Sequence, residues 1–520
     1  MKWIVWKEEN GKIKLVSQQG TTGMLPKGSY LTIEDEESKF ILRVDDSRQE
    51  EPFQPSPLIV DMNLKGLDAD RQCKNIVSAY RVKTISKIDD GLIRYIRPLS
   101  EARRSTQSEI DLAMNSNQDG PEVFVATVYS NENQVLRDEN NQLIKAKMPE
   151  EFYFYQTMIC GKTGSGKTVA MKYLAQYFIE KMNGAVLAIN VKGDDFLRMD
   201  CPSNPGKNID SINKEWNSIG QEPHGISKFI TYYPATSSKP DIYSTLSSKP
   251  QPITLKVNEI EPEALTGTLS GITDKAALIL PGIFRKWRND NEGKKVRMSD
   301  FITYVSNCKE SKVFDVCNEA GDVSRVSFHP ATIQSIIQCL NSSSSFFDRS
   351  DAETLNAEDI LVKGKMSVID VADNTRFGSI ILRDILKKLV QEKDNGGPYS
   401  KVKLLIIIDE VHQFYNDASS RNSLDYLDTI CRTGRSKQIG VFFASQNPGD
   451  MPQGLSSVVN SKLFFKTDVQ SVKEYGVKVT TDELEGLKSG YAVTSIHDLP
   501  QLKIVKFPLS LSGVISNDTL

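Results

Sequence analysis

Over the first ~145 residues, apolar positions come in short runs separated by turn residues. Trp3–Trp6, Ile13–Val16, Tyr30–Ile33, Phe40–Val44 and Val123–Tyr129 are β-type runs, rich in branched and aromatic side chains. Asn10-Gly11 and Pro26-Lys27-Gly28 mark turns. The charged or amide-rich stretches Asp45–Glu51, Arg103–Gly120 and Asn131–Gln142 read as loops. This spacing predicts a small β-barrel or sandwich over residues 1–145. From residue 146 the period changes. Phe152–Cys160 reads as a buried strand, and Met171, Leu174, Ala175, Phe178, Ile179 and Met182 then recur at helical spacing. Val186–Val191, Phe229–Tyr233, Met366–Val371, Leu404–Asp409, Ile439–Ser445 and Leu463–Lys466 are strand-like, with helical segments at Ile380–Gln391 and Leu424–Cys431. Strand–helix alternation of this kind predicts a parallel, doubly wound sheet. It occupies residues 146–254 and 361–520. Residues 255–360 interrupt it with helical patterns at Ala276–Trp287 and Thr332–Leu340 and a Ser-rich turn at Ser342–Ser345.

The junction after the first of these strands carries chemistry. Gly161-Lys162-Thr163-Gly164-Ser165-Gly166-Lys167-Thr168 satisfies G-x-x-x-x-G-K-[ST] in full, and Val169 follows. Glycines permit a tight loop whose N–H groups point at phosphate oxygens. The helix that follows turns its positive end to the same place. Lys167 reaches the β- and γ-phosphates and the Thr168 hydroxyl suits Mg²⁺. A second signature is Leu404-Leu-Ile-Ile-Ile-Asp409-Glu410, two carboxylates at the C-terminal end of a buried strand, where ligands bind in open α/β sheets. Asp409 is placed to hold Mg²⁺ and Glu410 to polarise the attacking water. Gln446, at the end of another strand, can sense the γ-phosphate or the water. Arg432 and Arg435 are candidates for the extra cation that phosphoryl transfer needs, delivered from a neighbouring subunit. His412 has no mark of catalysis beyond its position. Arg285-Lys286-Trp287-Arg288 with Lys294, Lys295 and Arg297 could face a nucleic acid, though such a cluster is more often a solvated helix face.

Composition narrows the class. The 520 residues are 39% apolar and 25% charged, as in a globular protein. A net charge of −3 excludes a general polycation, so any nucleic-acid surface must be local. The seven cysteines form no CxxC pair, which argues against a zinc site or disulfide framework. In the first twenty residues the apolar stretch is too short for a signal peptide and is followed by charges, and the longest apolar runs are too short to cross a bilayer. These features lead to the expectation of a cytoplasmic protein using ATP and Mg²⁺.

The chain resembles the HerA branch of the HerA/FtsK P-loop translocase superfamily. Four stretches carry the resemblance: Gly161–Thr168; Lys365-Met-Ser-Val-Ile-Asp370 with its helix; Ile406-Ile-Ile-Asp409-Glu410-Val-His412; and Gly434-Arg435-Ser-Lys-Gln-Ile-Gly440-Val-Phe-Phe-Ala-Ser-Gln446-Asn-Pro448. The last continues through Met451-Pro452 to Asn460-Ser-Lys462-Leu-Phe-Phe-Lys466. The resemblance implies a RecA-like P-loop ATPase core with a helical insertion, behind an N-terminal barrel. It implies a homohexamer with ATP between subunits and double-stranded DNA in the pore. Arg435 matches the family's arginine, Arg432 the nearby second one, and Gln446 its sensor glutamine. One departure is Asn190-Val191-Lys192-Gly193-Asp194, where the family usually has Asp-Pro. Relatives act with an effector, a nuclease or a sirtuin-like NADase, and the divergent insertion favours an antiphage-defence complex over DNA end processing. Two other readings remain: a ring scaffold that gates a partner enzyme, and a secretion or conjugation ATPase. A DExH helicase is disfavoured, because the chain ends too soon after Asp409-Glu410-Val-His412.

Overall fold

The computed structural model describes residues 3–17, 23–50, 74–88, 90–116, 118–129, 132–193, 195–206, 208–237, 243–244, 246–268, 274–415, 424–451 and 459–515. It forms two compact units. One comprises Met1–Glu150 with Phe464–Pro508, the other Glu151–Leu463 with Leu509–Leu520. The stretch 464–508, which the pattern groups with the core, thus joins the N-terminal unit.

In the first unit, β1 (Trp3–Glu9), β2 (Lys12–Ser17), β3 (Tyr30–Glu34), β4 (Ser38–Glu50), β5 (Lys74–Ser86) and β6 (Glu101–Arg104) close into a barrel in the order β1-β2-β5-β4-β3-β6. Closure removes the exposed edges of an open sheet. Alternate residues point inward: Trp3 and Val5, Ile13 and Leu15, Leu31 and Ile33, Phe40, Leu42 and Val44 make its core. Four expectations are corrected here. Asp45–Glu50 is strand, because β4 extends along β5 as far as the Glu50–Lys74 pair. The barrel's sixth strand is Glu101–Arg104. The run Val123–Tyr129 lies in β7 (Glu122–Tyr129), which pairs with β8 (Glu132–Val135) and β9 (Lys145–Lys147) outside the barrel. The supposed loop 103–120 contains the helix Gln107–Met114, started by a reciprocal cap between Thr106 and Glu109.

In the second unit, β10 (Thr157–Cys160), β11 (Ala185–Asn190), β12 (Lys228–Pro234), β13 (Gln251–Ile253), β16 (Lys365–Asp370), β17 (Leu404–Ile408), β18 (Ile439–Ser445) and β19 (Ser461–Phe464) lie in the order β13-β12-β16-β11-β17-β18-β10-β19. From β13 through β10 the pairs are parallel. β11, β17 and β18 are buried along their whole length, which explains their unbroken apolar runs. β10 is shorter than the expected Phe152–Cys160, since Glu150–Phe154 is a 3-10 turn. Between β13 and β16 stand the helices Asp274–Asp290, Met298–Asn307 and Pro330–Ser343, with an antiparallel hairpin, β14 (Val313–Cys317) and β15 (Val323–Ser327), that the pattern did not disclose. The expected Ser342–Ser345 turn is helical, the last α-turn tightening into a 3-10 turn at Ser344–Phe346. β20 (Tyr491–Ser495) and β21 (Ile504–Lys506) belong to the first unit, where β21 pairs with β7. Among the described residues no helix is long and apolar enough to cross a membrane.

Candidate nucleotide site

The parallel register aligns the C-terminal ends of the core strands. Cys160 sits beside Ser445, Asn190 beside Asp370, and Ile408 beside both Ile189 and Phe443. The residues just beyond these ends therefore share one edge: the Gly161–Thr168 loop, the 191–196 segment, Asp409 with Glu410, and Gln446. Because β18 separates β10 from β17, Gln446 emerges between the loop and the carboxylates.

The loop leaves β10 with Gly161 N–H donating to Ser445 O at 3.2 Å. Gly164 and Gly166 take φ of 77° and 101°, the left-handed region that glycine enters freely. The helix Lys167–Glu180 starts on Gly166 with no side-chain cap, leaving its first N–H groups available to a ligand. Lys167 is buried and folds back to donate from Nζ to Gly161 O at 2.6 Å. Ser165 Oγ is buried without a hydrogen-bond partner. Lys162 and Thr163 are exposed on the loop's outer face, and Thr168 and Val169 are half-buried at the helix start. An uncapped helix start, glycine turns and an orphaned hydroxyl fit a polyphosphate. The Thr168 hydroxyl and the Asp409 carboxylate are the hard oxygen donors that Mg²⁺ prefers.

The acid pair follows β17. Asp409 Oδ1 accepts the Glu410 N–H at 2.9 Å. Burial and the Glu410 charge push the Asp409 carboxyl up to about 6, against the pull of Lys167. Glu410 is 1% exposed and takes a positive φ of 45°, in a turn closed by Gln413 N–H to Glu410 O at 2.8 Å. Burial would raise its carboxyl too, but Lys192, Gln446 and the Lys167 charge outweigh that and hold it below the usual range. Lys192 Nζ and Gln446 Nε2, the latter at 3.1 Å, both donate to Oε1. Oε2 is buried with no hydrogen bond, and His412 Nδ1 lies 3.5 Å from it, likewise unbonded.

Lys167, Asp409, Glu410 and Gln446 are thus brought together. Arg432 and Arg435 are not placed at this edge. Both are exposed on the helix Leu424–Lys437, and the Arg435 guanidinium lies over the Tyr155 ring, 5.1 Å from its centroid. Tyr155 precedes β10, and Arg435 precedes β18. They stand at the N-terminal edge of the sheet, about 20 Å from the loop at a rise of ~3.3 Å per strand residue. Of the basic cluster, Arg285 pairs with Glu263, Lys286 with Asp290, and Arg288 donates to Ile260 O at 2.8 Å. Sequence reading missed Lys192 as a site residue. Its signal was present: a cation two residues past a strand end that shares the loop's edge.

A parallel core with a phosphate loop at one strand end and paired acids at another defines a P-loop nucleoside triphosphatase fold. Residues 133–465 match the family described as Helicase HerA-like C-terminal, and the chain belongs to that family. It is 24% identical over 181 residues to the DNA double-strand break repair helicase HerA of Saccharolobus solfataricus, 33% of this chain and 36% of that protein. It is 24% identical over 118 residues to the protein of the same name from Pyrococcus furiosus, covering 21% of each. The matched stretches therefore span about a third and a fifth of those relatives. Among solved structures, the unbound bacterial conjugative coupling protein TrwB aligns with a TM-score of 0.48 and 14% identity, over 82% of this chain and 96% of that one. VirB4 of Thermoanaerobacter pseudethanolicus aligns with a TM-score of 0.44 and 11% identity, over 75% and 97%.

Proposed function

We propose that this chain is an ATP-hydrolysing motor that forms a homohexamer, threads double-stranded DNA and works with an effector enzyme, a nuclease or a sirtuin-like NADase. The setting is cytoplasmic antiphage defence or DNA end processing. The carrying observation is the buried Glu410 carboxylate, held through one oxygen beside Asp409 and across from the phosphate loop.

Placement supports the following roles. The loop N–H groups of residues 161–169 and the Lys167 ammonium hold the phosphates. Thr168 and Asp409 would hold Mg²⁺, which would supply positive charge to offset that of the phosphates. Glu410 orients the attacking water and takes its proton. Gln446 fixes Glu410 and lies where it can read the γ-phosphate. Arg435, with Arg432 on the same helix, stands too far from its own loop to serve it. This supports delivery to a neighbour's site and hence a ring. The exposed apolar side chains Leu92, Ile93, Tyr95 and Leu99 on the N-terminal unit support contact with a protein partner.

The test is ATP turnover with and without linear duplex DNA at several salt concentrations, together with particle mass. The motor reading expects a hexamer whose turnover rises with duplex DNA, and DNA binding that weakens steeply with salt. Turnover indifferent to DNA but raised by the partner would favour the gating scaffold instead.

A further inference from the structure

Glu410 is held asymmetrically. Oε1 receives two donors, the Lys192 ammonium and the Gln446 amide, while Oε2 is buried and receives none. A buried carboxylate oxygen without a donor is uncommon, because the lost hydration is not replaced. Oε2 and the equally unbonded His412 Nδ1, 3.5 Å apart, are two orphaned atoms that one bound water could satisfy together.

The Lys192 side chain is not a loose surface lysine that happens to reach inward. Its turn is tied down from beneath. Asn190 Nδ2 donates to Gly193 O at 3.0 Å, and Asn190 Oδ1 accepts the Phe196 N–H at 3.3 Å. The same Nδ2 donates to Asp370 Oδ1 at 2.9 Å, and Tyr243 OH donates to Asp370 Oδ2 at 2.6 Å. Gly193 completes the turn at a φ of 43°. A buried network on two strand ends thus fixes the backbone from which Lys192 extends.

We propose that Lys192 is a positioning residue for ATP hydrolysis: with Gln446 it anchors Oε1 of Glu410, so that Oε2 alone is left to receive the proton of the attacking water. This rests on the ATPase reading. In the step, the water oxygen bonds to the γ-phosphorus as the bond to the β–γ bridging oxygen breaks. One water proton passes to Oε2, and ADP leaves with the bridging oxygen. Without the Lys192 anchor the carboxylate can rotate and share its oxygens between Gln446 and water. Ground-state binding of nucleotide is untouched, because Lys192 engages the base and not the phosphate loop.

The experiment compares steady-state ATP turnover by the full chain carrying Lys192→Met, Lys192→Arg or Asn190→Ala. Lys192 is 42% exposed, so its replacement should leave the fold intact, as thermal unfolding can verify. Lys192→Met should lower kcat at least 10-fold with KM for ATP within 2-fold of the unaltered protein. Lys192→Arg should recover most of the loss, and Asn190→Ala, which frees the turn but keeps the lysine, should fall between. An unchanged or raised kcat in Lys192→Met would overturn the assignment, as would a rise in KM without a fall in kcat, which would make Lys192 a nucleotide ligand. No turnover by the unaltered protein, with or without duplex DNA, would instead sink the ATPase reading, and this role with it.

Discussion

At the level of single residues, Glu410 combines a positive φ with near-complete burial. A left-handed conformation costs a non-glycine residue about 1–2 kcal/mol. Here the turn is closed by Gln413 N–H to Glu410 O, and Val411 N–H ties it to β18 by donating to Ala444 O at 3.1 Å. Glu410→Gln keeps the shape but loses the carboxylate proposed to accept the proton. It should bind ATP with kcat reduced by about 10²–10⁴-fold, the usual worth of a positioned base; nucleotide-binding titration beside turnover checks this, and full turnover would exclude Glu410 as the base. Glu109 gives a stability prediction in the first unit. Burial pushes its carboxyl up, but the Arg103 guanidinium, the Thr106 N–H, the Lys39 ammonium and the Thr32 hydroxyl outweigh this and hold it at about 2, against an ordinary 4.5. The native state therefore prefers the ionised form. That stability is fully present above pH 4.5 and is lost as pH falls toward 2. Glu109→Gln should flatten the pH dependence of unfolding across this window, followed by denaturant titration at several pH values. The P-loop and Asp409-Glu410 were legible because each is contiguous in sequence. The Lys192–Glu410 pair joins residues 218 apart and leaves no local pattern.

Among the elements, the core strands were readable because burial on both faces turns them into continuous apolar runs. Polar strands were not: the outer half of β4 is strand by pairing with β5, not by its side chains. The helix Gln107–Met114 was missed although Thr106-x-x-Glu109 is a start signal, because no long apolar stripe follows it. Close approach fixes how β18 meets the turn before β10. A Cβ on Gly440 would lie 1.9 Å from the Tyr153 carbonyl oxygen. Gly440→Ala must displace that backbone, and overpacking of this kind costs about 1–3 kcal/mol. Thermal unfolding should show a lower midpoint. Since β18 leads into Gln446, turnover should fall as well; an unshifted midpoint would mean the turn yields freely.

For the whole molecule, the helix carrying Arg432 and Arg435 ends where β18 begins, whereas the phosphate loop meets β18 where it ends. Within one chain the two therefore lie at opposite ends of β18. Arg435→Ala should bind ATP yet lose about 10³-fold or more in turnover, the range for a missing trans arginine. Mixing it with Lys167→Ala subunits should restore part of the activity, because some interfaces then pair an intact loop with an intact arginine. Turnover of the mixture no higher than that of either variant alone would exclude a shared site, as would a monomer under every condition. Hydrophobic periodicity could not reveal that 464–508 joins the N-terminal unit, because it records which face is buried and not which neighbour buries it.

The chain passes from one compact unit to the other at three places, after residues 150, 463 and 508. Its final described stretch is stitched back into the second unit. Lys172 donates to Gly513 O at 2.7 Å, the Trp216 indole donates to Leu509 O at 2.8 Å, and bridges link Pro202 with Ser512 and Asn204 with Ile515. Neither half is therefore a continuous piece of polypeptide. A protease that nicks a single crossing severs one thread and leaves two, so the fragments should stay together until denatured.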